Sequence, residues 1–202
     1  MIAGPRGPDP LVPDRPFGQD GRMRRALYAG TFDPVTLGHI DLIERGRRLF
    51  PSLTVGVADN VRKTPLFTAA ERVAMLRRAI REGGLRGVKV VSFRGLVVDW
   101  ARENGIAVLL RGVRTTSDFE YEYQMALTNR ALSGDVESVF VMPSEKFAYL
   151  SSTLIREVVR GGGDVSRWVP REVEKALRER LGEPEEEPEA PGRAGRRGKG
   201  RA

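Results

Sequence analysis

The single histidine of this 202-residue chain limits the chemistry that its sequence can support. His39 is the sole imidazole, and the sequence has no cysteine. A thiolate nucleophile, a cysteine-ligated metal and a histidine-cluster metal site are therefore excluded. The sequence also lacks Gly-x-x-x-x-Gly-Lys-Ser/Thr, Gly-x-Gly-x-x-Gly after the first apolar run, and Gly-x-Ser-x-Gly. These absences argue against the P-loop NTPase, dinucleotide-binding and α/β-hydrolase classes.

Four segments carry cations, hydroxyls or helix-start N–H groups of the kind that bind phosphate. They are Gly30–Pro34 with Thr36–His39, Asn60–Lys63, Arg111–Arg114 and Ser151–Thr153. Arginine holds phosphate through two donors, lysine supplies a point charge, and a helix start offers free N–H groups. Taken singly, these features are more often structural: Gly30 and Gly112 suit turns, Ser151–Thr153 suits a helix cap, and Arg111 suits a surface charge. Because all four follow predicted strands, we interpret them together as a phosphate site.

These segments follow apolar runs that alternate with helical patterns along the chain. The predicted strands are Ala26–Gly30, Leu53–Ala58, Val88–Phe93, Ile106–Leu110 and Ser138–Met142. The predicted helices are Gly38–Phe50, one begun by the capping box Thr68–Glu71, Val97–Asn104, Asp118–Leu132, Ser151–Arg160 and Pro170–Leu181. This alternation predicts an α/β, Rossmann-like fold: a five-stranded parallel sheet with helices on both faces. In such sheets ligands bind at the carboxyl ends of the strands.

Composition divides the chain into three parts. Residues 1–24 and 182–202 lack hydrophobic periodicity, which predicts a disordered N-terminal extension and a disordered charged C-terminal tail around a domain at 25–181. The net charge is +7, of which +6 falls on the domain and suits an anionic ligand. No membrane-length apolar run and no secretory signal pattern occurs, so a cytoplasmic protein is expected. Both Met1 and Met23 fit as the start of the chain.

The stretch from Tyr28 to His39, Tyr-Ala-Gly-Thr-Phe-Asp-Pro-Val-Thr-Leu-Gly-His, resembles the His/Thr-x-Gly-His signature of the nucleotidylyltransferase superfamily. Many members begin this signature with histidine. Thr36 takes that place here, as in the phosphopantetheine adenylyltransferase family. Three further segments resemble the same family, namely Lys63–Arg72, Arg111–Glu122 and Glu137–Ser144 running on to Leu150–Glu157. Together the four motifs span roughly residues 25–181.

The resemblance implies adenylyl transfer from ATP to 4′-phosphopantetheine, the penultimate step of coenzyme A biosynthesis, giving dephospho-coenzyme A and pyrophosphate. It assigns catalytic roles to His39, as transition-state stabiliser, and to Lys63, Arg111 and Ser152. It assigns Thr31, Lys63 and Arg111 to the attacking phosphate, and Leu96 and Val97 to the pantetheine arm. The nucleotide site that it implies comprises Gly30, Thr31, Phe32, His39, Gly112, Val113, Arg114, Glu122, Phe147, Ala148, Tyr149, Leu150, Ser151, Ser152 and Thr153.

The resemblance also implies Mg²⁺ bound mainly through ATP phosphates and water, with no metal ligands from the protein. It further implies a homohexamer of two stacked trimers and coenzyme A as a feedback ligand.

Two alternatives remain open. One is a nucleotidylyltransferase for nicotinamide mononucleotide or a sugar-alcohol phosphate, against which Thr36 and the segments at Lys63 and Arg111 argue. The other is an RNA- or anion-binding protein that uses the basic domain and the tail block Arg193–Arg201. That reading leaves His39 and Ser152 without a role, so a nucleic-acid partner is not expected. A membrane partner is not expected either, because no apolar run reaches the length of a membrane helix.

Overall fold

The structure is a computed structural model and describes residues 25–59 and 64–182. Its strands are β1 (Arg25–Gly30), β2 (Ser52–Ala58), β3 (Val88–Phe93), β4 (Val108–Gly112) and β5 (Glu137–Val141). Its helices are α1 (Leu37–Leu49), α2 (Ala69–Glu82), α3 (Val97–Glu103), α4 (Thr116–Leu132), α5 (Ser152–Arg160) and α6 (Arg171–Leu181). The predicted disorder of the two ends concerns residues outside these ranges, apart from Gly182, and stays a prediction.

The five strands form one parallel sheet in the order β3-β2-β1-β4-β5. Strand β1 pairs with β2 on one side and with β4 on the other. The chain therefore runs outward from β1 to β3, then crosses back to β4, so that the strand order switches between β1 and β4. The predicted five-stranded, Rossmann-like α/β fold is confirmed. Its topology puts a ligand crevice beyond the carboxyl ends of β1 and β4.

Alternating strand side chains build a hydrophobic core on each face of the sheet. In β1, Ala26 and Tyr28 belong to one core, and Leu27 and Ala29 belong to the other. Helices α1, α2, α5 and α6 cover the first face with the buried residues Leu42, Ile43, Leu76, Ile80, Ile155, Val159, Val173 and Leu177. Helix α3 covers the second face with Val98 and Ala101.

Helix α4 leaves most of its large apolar side chains exposed. Asn129 is the one residue of this helix that is buried. The exposed side chains are Phe119, Tyr121, Tyr123, Leu127 and Leu132. Phe119 also meets Phe140 of β5 edge-on, with ring centroids 5.9 Å apart. Neither α4 nor any other described helix is long and apolar enough to cross a membrane.

Two predicted strand boundaries near the crevice are wrong. Strand β4 spans Val108–Gly112 instead of Ile106–Leu110, because Arg111 and Gly112 pair with Phe140 and Val141 of β5. Arg111 and Gly112 are therefore the last residues of a strand and do not belong to a loop. Strand β5 ends at Val141, one residue before the predicted boundary. The predicted capping box at the start of α2 is confirmed.

Candidate active site

A cavity of about 270 Å³ opens where the strand order switches. Its walls come from the end of β1 and the loop into α1, the end of β4, and the start of α5. His39, Arg111 and Ser152, three residues with predicted catalytic roles, all line it. The predicted residues that line it are Gly30, Thr31, Phe32, His39, Arg111, Gly112, Arg114, Glu122, Phe147, Leu150, Ser151 and Ser152.

His39 is oriented by Thr36, the residue that caps α1. The Thr36 backbone N–H donates to Nδ1 of His39 over 3.0 Å, and the Thr36 hydroxyl oxygen accepts from the His39 backbone N–H. A ring nitrogen that accepts a hydrogen bond carries no proton, so the neutral imidazole is protonated at Nε2. Burial, and after it the positive charge of Arg114, lowers the pKa of His39 to about 4. At neutral pH the ring is therefore an uncharged Nε2–H donor.

The turn after β1 packs Phe32 against the imidazole. Phe32 has a φ of 51°, in the left-handed region that costs a non-glycine residue about 1–2 kcal/mol. Its buried ring meets the rings of Tyr28 and His39 edge-on, at centroid distances of 5.3 and 5.0 Å. A Cβ atom at Gly30 would lie 3.0 Å from the Phe32 ring, so glycine leaves room for that ring. The turn thus fixes the position of the His39 side chain.

Asp33 ties the same turn to two helices. Its buried carboxylate accepts hydrogen bonds from the backbone N–H groups of Leu66 and Phe67, at 2.8 and 3.0 Å, just before α2. Arg156 of α5 donates to the Asp33 backbone carbonyl and lies 3.5 Å from its carboxylate. The turn is therefore anchored on both sides.

Arg111 and Glu122 form a two-point ion pair at the wall of the cavity. Nε and Nη2 of Arg111 donate to the two carboxylate oxygens of Glu122 over 2.7 and 2.6 Å, while Nη1 donates to the Ala29 carbonyl over 2.8 Å. Burial opposes the charge, but the hydrogen bonds and charge of Glu122 raise the pKa of Arg111. Glu122 therefore fixes the guanidinium at the end of β4 and occupies the donor pair on its Nε side.

Arg114 links the start of α4 to the segment before α5. Its Nε donates to the Asp118 carboxylate over 2.8 Å, and its Nη1 donates to the Leu150 carbonyl. Ser151 caps α5 by accepting from the Leu154 N–H. The Ser152 hydroxyl donates to the Pro34 carbonyl over 2.8 Å, which binds α5 to the turn after β1. Ser152 therefore offers the cavity chiefly its position at a helix start, where unpaired N–H groups favour anions.

Two further cavities share walls with the first. One of about 430 Å³ is lined by Thr31, Arg111, Leu96 and Val97, together with Met125 and Asn129 of α4. The other, of about 230 Å³, is lined by Thr31, Asp33, Thr64, Pro65, Ser152, Thr153 and Arg156. Thr31 belongs to all three cavities. It therefore lies where ligands in neighbouring cavities would meet.

Some predicted site residues lie elsewhere. Val113 is buried, and neither it nor Ala148 or Tyr149 lines these three cavities. The Tyr149 hydroxyl instead accepts a hydrogen bond from Nε1 of Trp168 over 2.9 Å. Lys63 lies outside the described residues, so its predicted role stays a prediction.

Tyr28 also lines the cavity, although the sequence motifs predict no role for it. Its hydroxyl-bearing ring in an otherwise apolar strand is the signal that could have identified it. Burial raises the pKa of Tyr28, so its hydroxyl stays protonated. The sequence motifs predict no role for Arg72 either. Its surroundings are formed by segments that are distant in sequence, which no local pattern reveals.

The described residues do not fit a protein-bound Mg²⁺. They contain no group of three histidine, aspartate or glutamate side chains placed to hold a metal. Glu122 is the carboxylate that lines the first cavity, and both its oxygens are bonded to Arg111. A magnesium ion carried on ATP phosphates would enter as part of the substrate.

Comparison with known proteins places this geometry in a family. The crystal structure of the lipopolysaccharide core biosynthesis protein from Thermoplasma volcanium GSS1 is similar over 61% of this chain and 98% of that chain, with 24% sequence identity and a TM-score of 0.43. Such a likeness has no bearing on the reaction. The model of the cytidylyltransferase-like family matches residues 27–158, which include most of β1, all of β2 to β5 and most of α5. The chain therefore belongs to the cytidylyltransferase-like family of nucleotidyltransferases.

Proposed function

We propose that this nucleotidyltransferase transfers the adenylyl group of ATP to 4′-phosphopantetheine, giving dephospho-coenzyme A and pyrophosphate. The observation that carries this proposal is the convergence of an uncharged His39 donor, the Arg111 cation and the start of α5 on one cavity. The four motifs that resemble the phosphopantetheine adenylyltransferase family select the acceptor. We take the cytoplasm as the site of this reaction.

The reaction needs positioning and charge neutralisation more than covalent help from the protein. An oxygen of the acceptor phosphate attacks the α-phosphorus of ATP, a new P–O bond forms, and the bond to the β-phosphate oxygen breaks. The electron pair of that broken bond leaves with pyrophosphate. Because both substrates are anions, fixed cations and N–H dipoles must lower their repulsion before the in-line geometry can form.

Different residues of this chain bind the different phosphate groups. Nε2–H of His39 donates to a nonbridging oxygen of the α-phosphate, where negative charge grows in the transition state. Arg114 and the start of α5 bind the β- and γ-phosphates. Arg111, Thr31 and Lys63 hold the attacking phosphate, for which Arg111 retains N–H groups on Nη1 and Nη2 beyond those bonded to Glu122 and Ala29.

The cavity of about 430 Å³ suits the rest of the acceptor. It adjoins the first cavity at Thr31 and Arg111, and Leu96, Val97 and Met125 give it apolar walls. A pantetheine arm is long, flexible and only partly polar, so its amides and methyl groups fit such a mixed cavity. ATP would then fill the first cavity and approach the acceptor phosphate from the His39 side.

The exposed apolar side chains of α4 support self-association of this chain as part of the proposed enzyme. Tyr121 is 60% exposed and Leu132 is 51% exposed in the single chain. Such side chains along one helix favour an interface between copies. We propose the homohexamer implied by the resemblance, which sedimentation velocity tests directly. Coenzyme A, which contains the product, is the proposed feedback ligand.

A substrate panel tests the proposed reaction. Pyrophosphate release is measured with ATP or CTP, each combined with 4′-phosphopantetheine, nicotinamide mononucleotide or glycerol 3-phosphate. We expect rapid release only with ATP and 4′-phosphopantetheine, and its loss in His39→Ala. Faster release with another acceptor would assign a different nucleotidyltransferase. Absence of release with every pair, together with strongly salt-dependent RNA binding, would favour the RNA-binding alternative.

A further inference from the structure

Arg72 of α2 is a buried cation held by carbonyl oxygens. The residue is 1% exposed. Its Nε donates to the Phe67 carbonyl over 2.9 Å, and its Nη1 donates to the carbonyls of Thr31 and Ala58 over 2.6 and 3.0 Å. No carboxylate among the described residues forms an ion pair with it.

Burying an arginine without a carboxylate is energetically expensive. Removing an ion from water carries a desolvation penalty, and a partner charge usually offsets part of it. Here three carbonyl dipoles replace the partner charge. A buried apolar side chain would fill this space without that penalty, so the role of the cation lies in the three segments whose carbonyls it binds.

The three carbonyls come from segments that meet at the site. Thr31 follows β1, Ala58 ends β2, and Phe67 precedes the capping residue of α2. Ala58 and Phe67 also flank the stretch of sequence that includes Lys63. One guanidinium thus joins the turn that contributes to the cavity with both ends of the β2–α2 connection.

The hydrogen bond from Arg72 to the Thr31 carbonyl connects Arg72 to the His39 imidazole through Phe32. The Thr31 carbonyl is part of the peptide unit that precedes Phe32, whose φ lies in the left-handed region. Orientation of that peptide sets where the Phe32 ring lies, and the ring contacts His39. Without the bond from Arg72, the peptide loses a restraint that opposes relaxation of Phe32 toward ordinary backbone angles.

We propose that Arg72 is a positioning residue for nucleotidyl transfer, which acts through the Thr31–Phe32 peptide on the ring of His39. It touches neither the cavity surface nor the substrates. The inference rests on the proposed function for its turnover measurement, but its spectroscopic measurement needs no substrate.

The experiment compares Arg72→Lys and Arg72→Met with Arg81→Met. Lysine keeps the charge but cannot bond three carbonyls with the planar guanidinium geometry. Arg81 is an exposed arginine on the same helix, so its variant controls for loss of an α2 cation. Variants that unfold at room temperature are measured cold and in sucrose, which favours the folded state.

The first readout is the ring resonance of His39 in ¹⁵N-labelled protein. Because the chain has one histidine, its ring signals need no assignment. We expect them to shift in both Arg72 variants when circular dichroism shows complete folding, and to stay in place in Arg81→Met. A purely stabilising arginine would change the melting temperature without moving these signals in the folded protein.

The second readout is turnover. We expect kcat to fall about 10²-fold in Arg72→Lys, as misplacement near a reacting centre can cause, with a much smaller change in KM for ATP. Unchanged His39 signals in a folded variant would overturn the proposal, as would failure of both variants to fold under stabilising conditions. If the wild type transfers nothing to 4′-phosphopantetheine, the proposed function fails, but the His39 signals still decide the role of Arg72.

Discussion

The backbone N–H of Thr36 donates to Nδ1 of His39 over 3.0 Å, so the residue that caps α1 also selects the tautomer of the imidazole three positions later. The Thr36 hydroxyl oxygen lies 3.1 Å from the same nitrogen. Because the donor is a backbone N–H, this hydrogen bond to Nδ1 does not depend on which side chain occupies position 36. Threonine in place of the histidine common in the superfamily signature therefore leaves the His39 imidazole held in the same way.

His39→Ala should lower kcat by about 10²–10³-fold while the affinities for ATP and acceptor change little. In the proposed reaction, the hydrogen bond from Nε2–H to the α-phosphate strengthens as negative charge grows there. Its removal therefore destabilises the transition state more than the bound substrates. Steady-state kinetics and direct ligand titration measure the two effects separately. Equal losses in affinity and rate would show that His39 only binds substrate.

The pKa of His39, lowered to about 4, makes stability depend on pH with a defined sign. Between about pH 4 and 6.5 the unfolded chain binds a proton at this residue that the folded chain does not. The free energy of unfolding should therefore rise with pH across this range. Urea denaturation should show the rise in the wild type and a smaller one in His39→Gln. An NMR titration of the single histidine with a midpoint near 6.5 would contradict this account.

Arg111→Ala should weaken 4′-phosphopantetheine binding about 10–100-fold and ATP binding much less. A charge-assisted hydrogen bond contributes about 1.5–3 kcal/mol, and Arg111 is assigned to the acceptor phosphate. Lys63→Ala should act in the same direction. Calorimetric titration of each ligand measures the difference, with exposed Arg102→Ala as the control. A loss limited to ATP would reverse the assignment of the two substrates.

Asp33→Asn should lower the free energy of unfolding by about 1–3 kcal/mol. The amide can accept from only one of the two N–H groups, of Leu66 and Phe67, that the buried carboxylate now satisfies. Urea denaturation of Asp33→Asn and of Asp99→Asn, a partly exposed aspartate in a surface ion pair, provides the comparison. Equal stability of the two variants would mean that the Asp33 bonds contribute little.

Much of the fold and the centre of the candidate site follow from local patterns. Apolar strands alternating with amphipathic helices predict the parallel sheet. A lone histidine at a helix start after the first strand identifies His39. The carboxyl ends of parallel strands bring Arg111 and Ser152 to the same place. These inferences depend on periodicity and topology, which the sequence carries directly.

Other features depend on packing between distant segments. Arg111 meets Glu122 only because α4 folds back over the end of β4, and no local pattern distinguishes this pair from two separate surface charges. The start of β4 was misplaced because Ile106 is buried like a strand residue, although pairing with β5 begins only at Val108. Arg72 is one of several arginines in α2, and only its hydrogen bonds to the Thr31 and Ala58 carbonyls distinguish it from the others.

The attack of an acceptor phosphate on the α-phosphorus of ATP is the central claim, and position-specific labelling tests it most directly. ATP labelled with ³²P at the α- or γ-phosphate is incubated with 4′-phosphopantetheine and the products are separated. We predict that the α-label enters the pantetheine product and the γ-label appears in pyrophosphate. Transfer of the γ-label to the acceptor would contradict the account. So would release of the γ-label as inorganic phosphate together with the absence of the α-label from the acceptor.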